Sequence, residues 1–137
     1  MNQLLLIFIA LLFVGCQRDT QLFDEVLAMA EFDSNYHNIT LIQSGKDRGF
    51  LKPMMEYLFY NVDSLAFQNL EKAIMTSEKF KEGNYYLNIE LDDYLYQNKL
   101  DILNMSNSSI TENKFDKTYY VYLLSDRKTF AVCKVNH

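Results

Sequence analysis

The chain has 137 residues, with 13 basic and 18 acidic side chains and a net charge of −5. A chain of this length is expected to form one domain of ordinary size. Nucleic-acid-binding proteins neutralise phosphates with clustered lysine and arginine, so the acidic balance argues against that class. The same charge is repelled by anionic lipid headgroups, so electrostatic attraction to a membrane surface is not expected either.

The first fifteen residues are predicted to be a cleaved leader. Residues 4–14 are an unbroken apolar run without a charge, and as a helix this run spans only about 16 Å. A hydrocarbon core needs roughly 20 residues, so the run is too short for a membrane-spanning anchor. Its length is typical of the hydrophobic region of a signal peptide.

The segment Phe13-Val14-Gly15-Cys16 resembles the lipobox of bacterial lipoproteins. In that family the leader is cut before the cysteine, the cysteine is diacylated, and the new N-terminus is usually acylated again. The resemblance implies lipid attachment at Cys16 and a location at the cell envelope, with the membrane as one partner. Two or more acyl chains hold a protein stably on a membrane, whereas one binds only marginally. The alternatives are an ordinary secretory leader cut near Gly15 and a buried N-terminal helix, which is disfavoured because residues 4–14 are apolar on every face.

The mature chain is predicted to consist of a tether over residues 16–21 and one globular domain over residues 22–137. If Cys16 carries lipid, Cys133 has no second cysteine with which to form an intramolecular disulfide. Cys133 lies in the apolar, strand-like run 130–135. It is therefore predicted to be a small buried hydrophobic side chain.

The first half of the domain shows mostly helical spacing. Apolar residues share one face over 22–32, and 39–42 is a short β-branched run that predicts a strand. Residues 44–49 are predicted to be a loop. Pro53 suits a helix start, and the apolar spacing after it predicts a helix up to about residue 62. Residues 54–82 also fit one bent helix, but two helices meeting near Asn61 are preferred. The clearest element is a helix from Ser64 to about Glu82, capped by Asp63, with Lys79 and Lys81 in its last turn and Gly83 ending it.

The second half changes to a period of two. Residues 85–92 alternate apolar and polar side chains, which predicts a strand with one solvated face. Residues 94–105 fit a strand or a helix, and residues 106–116 are polar and predicted to be a loop. Residues 117–124 and 129–135 flank a four-residue polar break, the pattern of a β-hairpin. The predicted fold class is α+β, with N-terminal helices packed on one face of an antiparallel sheet and a C-terminal β-hairpin.

The sequence offers little for catalysis, so the protein is predicted not to be an enzyme and to need no cofactor or metal. Its two histidines are His37 and His137. The segment 33–37 contains the residue types of nucleophilic catalysis, but catalytic triads draw their members from distant parts of a fold. Glu90, Asp92 and Asp93 form an acidic cluster without the loop or further oxygen ligands of a calcium site, which favours a solvated face.

Tyrosines are the most suggestive feature, because the chain contains ten of them and no tryptophan. Tyrosine combines a large contact area with a polar tip and is enriched at binding surfaces, although sheets also use it for packing. Tyr86, Tyr120 and Tyr122 are the candidates for contact with a partner. The preferred function is a membrane-tethered lipoprotein with a non-enzymatic, protein-binding domain at the cell envelope, acting as an inhibitor, an immunity protein or an accessory subunit.

The alternative function is a carrier for a small molecule or a lipid. In that case the helices close over an apolar cavity between helices and sheet. The residues expected to line this cavity are Met54, Met55, Phe59 and Phe67.

Overall fold

The computed structural model describes residues 22–32, 39–47, 55–83, 89–112 and 114–137. The predicted leader and tether, residues 1–21, lie outside these ranges. The described part contains three helices and a six-stranded sheet, which confirms the α+β class. The elements in chain order are α1 over residues 22–29, β1 Thr40–Asp47, β2 Met55–Asn61, α2 Ser64–Thr76, β3 Lys81–Glu82, α3 Ile89–Asn98, β4 Ile102–Glu112, β5 Phe115–Leu124 and β6 Thr129–Asn136.

The sheet has the strand order β1-β2-β6-β5-β4-β3, and every neighbouring pair is antiparallel. The long β4, β5 and β6 strands form its centre together with β2. Residues 125–128 connect β5 to β6. Asp126 shapes this turn, because its carboxylate accepts hydrogen bonds from the backbone N–H groups of Lys128 and Thr129 and from the Thr129 hydroxyl.

Buried residues form two clusters, one on each face of the sheet. Strand β6 shows the division, because Phe130 and Val132 belong to one cluster while Ala131, Cys133 and Val135 belong to the other. The first cluster contains the buried apolar residues of α1 and α2. The second contains Leu91, Tyr94 and Leu95 of α3. The central strands are therefore buried on both faces, and Cys133 is buried as predicted.

Helix α1 buries the face that its sequence predicts. The predicted apolar positions are all buried: Leu22, Phe23, Val26, Leu27 and Ala30. A polar contact adds to this packing, because the Glu25 carboxylate oxygen Oε2 lies 3.1 Å from Lys134 Nζ of β6 and accepts a 2.7 Å hydrogen bond from the Tyr119 hydroxyl of β5.

Helix α2 begins as predicted but is shorter. The Asp63 side chain accepts a 2.8 Å hydrogen bond from the N–H of Ala66, which confirms the cap. The helix ends at Thr76, so the prediction of a helix to Glu82 with Gly83 as its cap is wrong. The chain leaves the helix because Phe80 is buried in the first cluster and residues 81–82 pair with β4 as strand β3.

Strand β2 contradicts the predicted helix over residues 54–62. In the sheet, Tyr57 and Phe59 face the second cluster, while Leu58 and Tyr60 face the first. A strand buried on both faces has an almost continuous apolar sequence, and such a run satisfies helical spacing as easily as strand spacing. Pro53 lies outside the described residues.

Strand β1 extends further than predicted, so residues 44–47 are strand and not loop. Gly45 lies opposite Tyr57, and a Cβ atom at this position would collide with the Tyr57 hydroxyl oxygen. The absence of a side chain therefore lets the Tyr57 ring lie across the edge strand.

Two further predictions in the second half are wrong. Residues 89–92, predicted as the end of a strand, form the first turn of α3. Residues 85–88, the rest of that predicted strand, lie outside the described residues. Residues 106–112 and 115–116, predicted as loop, belong to β4 and β5. The ambiguous segment 94–105 contains both a helix, up to Asn98, and a strand, from Ile102.

Candidate protein-interaction surface

Of the predicted tyrosine candidates, the two in the described residues, Tyr120 and Tyr122, lie on a covered face of the sheet. Tyr122 is only 1% exposed and Tyr120 is half-buried, and both belong to the cluster beneath α3. They do lie on the face opposite Val121, but that face is covered. Tyr86 lies outside the described residues. Tyr122 is thus a core residue, and replacing Tyr120 by alanine would disturb packing as well as surface.

Helix α3 covers this face through one side. Leu91, Tyr94 and Leu95 have the i, i+3, i+4 spacing of a helix face and all join the second cluster. The Tyr94 ring stacks on Phe59 of β2 at 4.5 Å between ring centroids. Because these three residues point to the sheet, the opposite side of the helix faces solvent.

The outer face of α3 carries two large exposed side chains. Tyr96 is 87% exposed and Ile89 is 69% exposed, the two highest values among the described large hydrophobic side chains. They are seven residues, or about two helical turns, apart. Asp93 is also exposed and lies between them on the helix surface. We refer to Ile89, Asp93 and Tyr96 as the outer face of α3.

The sequence analysis does not predict the outer face of α3, because it assigns residues 85–92 to a strand and leaves residues 94–105 as strand or helix. Tyr96 is one of the tyrosines in the second half of the sequence, but the segment from residue 94 fits a strand as well as a helix. Only the helical assignment, with Leu91 and Leu95 inward, places Tyr96 outward. The buried spacing of Leu91, Tyr94 and Leu95 was the signal that could have identified it.

The C-terminal end of α3 is held in a defined conformation. The N–H of Leu100 donates to the carbonyl of Leu95 at 3.0 Å, and the N–H of Lys99 donates to the carbonyl of Tyr96 at 3.4 Å. Lys99 has a φ of 53°, so this is a Schellman-type ending with lysine in the position that usually holds glycine.

An open surface groove follows this helix end. It is lined by Leu95, Tyr96, Gln97, Lys99, Leu100, Asp101 and Ile102. Asp101 is fixed to the β5–β6 turn by two hydrogen bonds, since its N–H donates to the Ser125 hydroxyl and its carbonyl accepts from the Ser125 N–H, each at 2.9 Å. The outer face of α3 and this groove are contiguous through Tyr96.

The acidic cluster lies on this helix. Glu90 and Asp92 are in the first turn of α3, where negative charge complements the helix dipole, and Asp93 follows directly. The helix contains no basic residue in Ile89–Asn98. Within the described ranges, no group of three or more histidine, cysteine or acidic side chains is arranged to hold a metal ion.

The residues considered for catalysis are not brought together in the described part. The segment 33–37, which includes His37, lies outside it. The His137 ring nitrogen Nε2 lies 3.1 Å from the Thr118 hydroxyl, which in turn lies 3.1 Å from the Ser109 hydroxyl. This short polar chain joins His137 to the β4–β5 pair.

The residues expected to line a carrier cavity are divided by the sheet. Met55 and Phe59 pack in the cluster beneath α3, whereas Phe67 packs in the cluster beneath α1 and α2. Met54 lies outside the described residues. The three described side chains therefore do not share one cavity.

Among the described residues, no helix has both the length and the apolar character needed to cross a membrane. Comparisons of the chain with protein-family models, with curated proteins and with solved structures found no match.

Proposed function

We propose that the protein is a lipoprotein of the cell envelope whose domain binds another protein without catalysing a reaction. The lipobox-like segment ending in Cys16 supports the tether. The chemistry at the surface of the domain supports the binding role. The observation that carries the proposal is the exposure of Tyr96, an aromatic side chain that extends into solvent from a helix docked firmly on the sheet.

An exposed tyrosine on a rigid element is a typical contact residue in protein complexes. It offers a large area with few rotatable bonds, so little conformational entropy is lost on binding. Helix α3 is anchored on the sheet because Tyr94 stacks on Phe59 and Leu91 is buried. Ile89 extends the apolar contact along the same side of the helix, and Asp93 supplies a polar contact between the two.

The layer arrangement favours simultaneous tethering and binding. In this proposal α1 and α2 form the N-terminal layer on one face of the sheet, and β5 and β6 form the C-terminal hairpin at its centre. Helix α1 directly follows the proposed tether, and its core residues are on the face opposite α3. A lipid at Cys16 would then leave the outer face of α3 accessible to a partner.

Co-purification tests the proposal. The full-length chain carrying a C-terminal tag is expressed in its own host, lightly crosslinked and purified, and the accompanying proteins are identified by mass spectrometry. We expect one stoichiometric envelope protein, and we expect Tyr96→Ala to reduce its recovery at least about tenfold, as for other central aromatic contacts.

Met75→Ala is the matched control, because Met75 is 64% exposed but lies on α2 in the other layer. It should leave the recovery unchanged. If Tyr96→Ala and Met75→Ala behave alike, or if no protein accompanies the chain, the protein-binding proposal is wrong. The tether has a separate test, since Cys16→Ser should release the chain from the membrane fraction.

A further inference from the structure

We propose that the groove at the end of α3 receives an apolar side chain of a basic, amphipathic helix belonging to the partner protein. This inference rests on the proposed protein-binding function and specifies the chemistry of the partner. The site comprises the groove and the outer face of α3, which share Tyr96.

Apolar side chains form part of the lining of this open groove. Leu95, Leu100 and Ile102 line it while remaining half-buried, so an incoming side chain can reach them. Its walls are held by the backbone hydrogen bonds that end α3 and by the paired hydrogen bonds between Asp101 and Ser125. A preformed groove binds more tightly than a mobile one because less conformational entropy is lost on binding.

The charge around the groove favours a basic partner. Glu90 and Asp93 lie on α3, whose sequence contains no basic residue, and Asp101 is among the residues that line the groove. Among the described residues that line the groove, Lys99 is the only cation. Complementary charge increases the association rate and rejects partners of the wrong sign.

A helix suits this surface better than a strand. Strand addition needs free backbone N–H and C=O groups, whereas the backbone of a helix such as α3 is occupied by its own hydrogen bonds. The outer face of α3 therefore offers side chains alone. Ile89 and Tyr96 are seven residues apart, or about 10 Å along the helix, a spacing that the i and i+7 side chains of a second helix reproduce.

Two synthetic peptides test the inference against the full-length chain in nonionic detergent. One is an amphipathic helical peptide of about 18 residues, long enough to form a helix on binding, with leucines on one face and lysines on the other. Its twin has glutamate at each lysine position. Fluorescence anisotropy of the labelled peptides gives their dissociation constants, which are measured again in a high-salt buffer.

We expect the lysine peptide to bind at least about tenfold more tightly than its twin, and this difference to shrink at high salt. The double variant Glu90→Lys/Asp93→Lys should reverse the preference. Its control, Glu31→Lys/Glu78→Lys, changes the net charge by the same amount at exposed positions on the α1 and α2 side. This control variant should keep the preference for the lysine peptide.

The inference is overturned if the two peptides bind equally, if the glutamate peptide binds more tightly, or if the control pair alters the preference as much as the α3 pair. It is also overturned if neither peptide binds while Tyr96→Ala still removes the co-purified protein. That last result leaves the protein-binding function standing. If Tyr96→Ala has no effect in the co-purification, the proposed protein-binding function is itself contradicted. Failure of this inference and failure of the proposed function therefore give different results.

Discussion

Replacing Glu25 by glutamine tests how α1 is fixed to the sheet. Glu25 Oε2 lies 3.1 Å from Lys134 Nζ, and the two side chains are only 29% and 15% exposed. Glutamine keeps the size of the side chain and can still accept from the Tyr119 hydroxyl, but it removes the charge that faces Lys134. Lys134 then retains Glu56, which is its direct neighbour across the β2–β6 pair.

The size of the effect follows from this geometry. Opposite charges at 3.1 Å attract with roughly 5 kcal/mol at an effective dielectric constant of 20. Desolvation of the two groups offsets much of that attraction, so we expect a net coupling of about 2 kcal/mol in the free energy of unfolding. The Lys46–Glu56 pair on the same face is the comparison, because its atoms are 3.8 Å apart and Lys46 is 47% exposed. Its coupling should be below about 0.5 kcal/mol.

Double-mutant cycles measure both couplings. Glu25→Gln, Lys134→Met and the double variant are unfolded in urea in nonionic detergent and followed by far-UV circular dichroism, and the same is done for Lys46→Met and Glu56→Gln. The reasoning is refuted if the coupling between Glu25 and Lys134 is no larger than that between Lys46 and Glu56. In that case apolar packing and the hydrogen bond from Tyr119 to Glu25 would fix α1 to the sheet.

Three further predictions concern stability, each read from urea unfolding. Lys99→Gly should stabilise the protein by up to about 1 kcal/mol, because a left-handed backbone strains lysine but not glycine; destabilisation would contradict this. Gly45→Ala should destabilise it by about 1 kcal/mol through contact with the Tyr57 ring, and should be neutral in a Tyr57→Ala background. Burial raises the pKa of Asp126, but hydrogen bonds from the Thr129 hydroxyl and from backbone N–H groups outweigh it and hold the pKa below 3.8. Its contribution is therefore present above about pH 4 and lost as the pH falls through the lowered pKa, so Asp126→Asn should flatten this part of the stability profile.

Several elements follow from local sequence because their patterns have one interpretation. Helix α1 combines a clear apolar face with a polar one, and the structure buries that face completely. Helix α2 has a strong cap at Asp63 and a single apolar stripe, so its start is confirmed by a hydrogen bond. Cys133 lies in an apolar β-branched run and is buried as expected. In each case the local preference and the final environment agree.

For strands β2 and β4, contacts with the rest of the fold determine the secondary structure, and the local sequence pattern does not reveal it. Residues 55–61 pair with β1 and β6 as a strand, and helices cover both of its faces, which removes the alternation that identifies a strand from sequence. Strand β4 is rich in serine and asparagine and has little apolar pattern. It is ordered because its backbone pairs with β5 along its length and because Ser106 and Ser108 fit into buried positions on the sheet.

The binding candidates show the same division. The abundance of tyrosine is a property of the sequence, but whether each one packs or projects depends on which element covers it. Tyr122 is buried because α3 lies over the sheet, and Tyr96 projects because the same helix turns Leu91, Tyr94 and Leu95 inward. A strand at residue 89 would have exposed a different set.

The sequence by itself determined the α+β class, the start of α2, the buried face of α1 and the acidic charge, because these depend on composition and on spacing within single elements. It also predicts the lipid-bearing leader, which rests on residues 1–16 alone. Only the tertiary structure decided that the sheet is covered on both faces, that β2 and β4 are strands and that Tyr96 lies on the surface. Those outcomes depend on contacts between residues far apart in the chain, such as Phe59 with Tyr94, and the spacing of residues within one element does not predict such contacts.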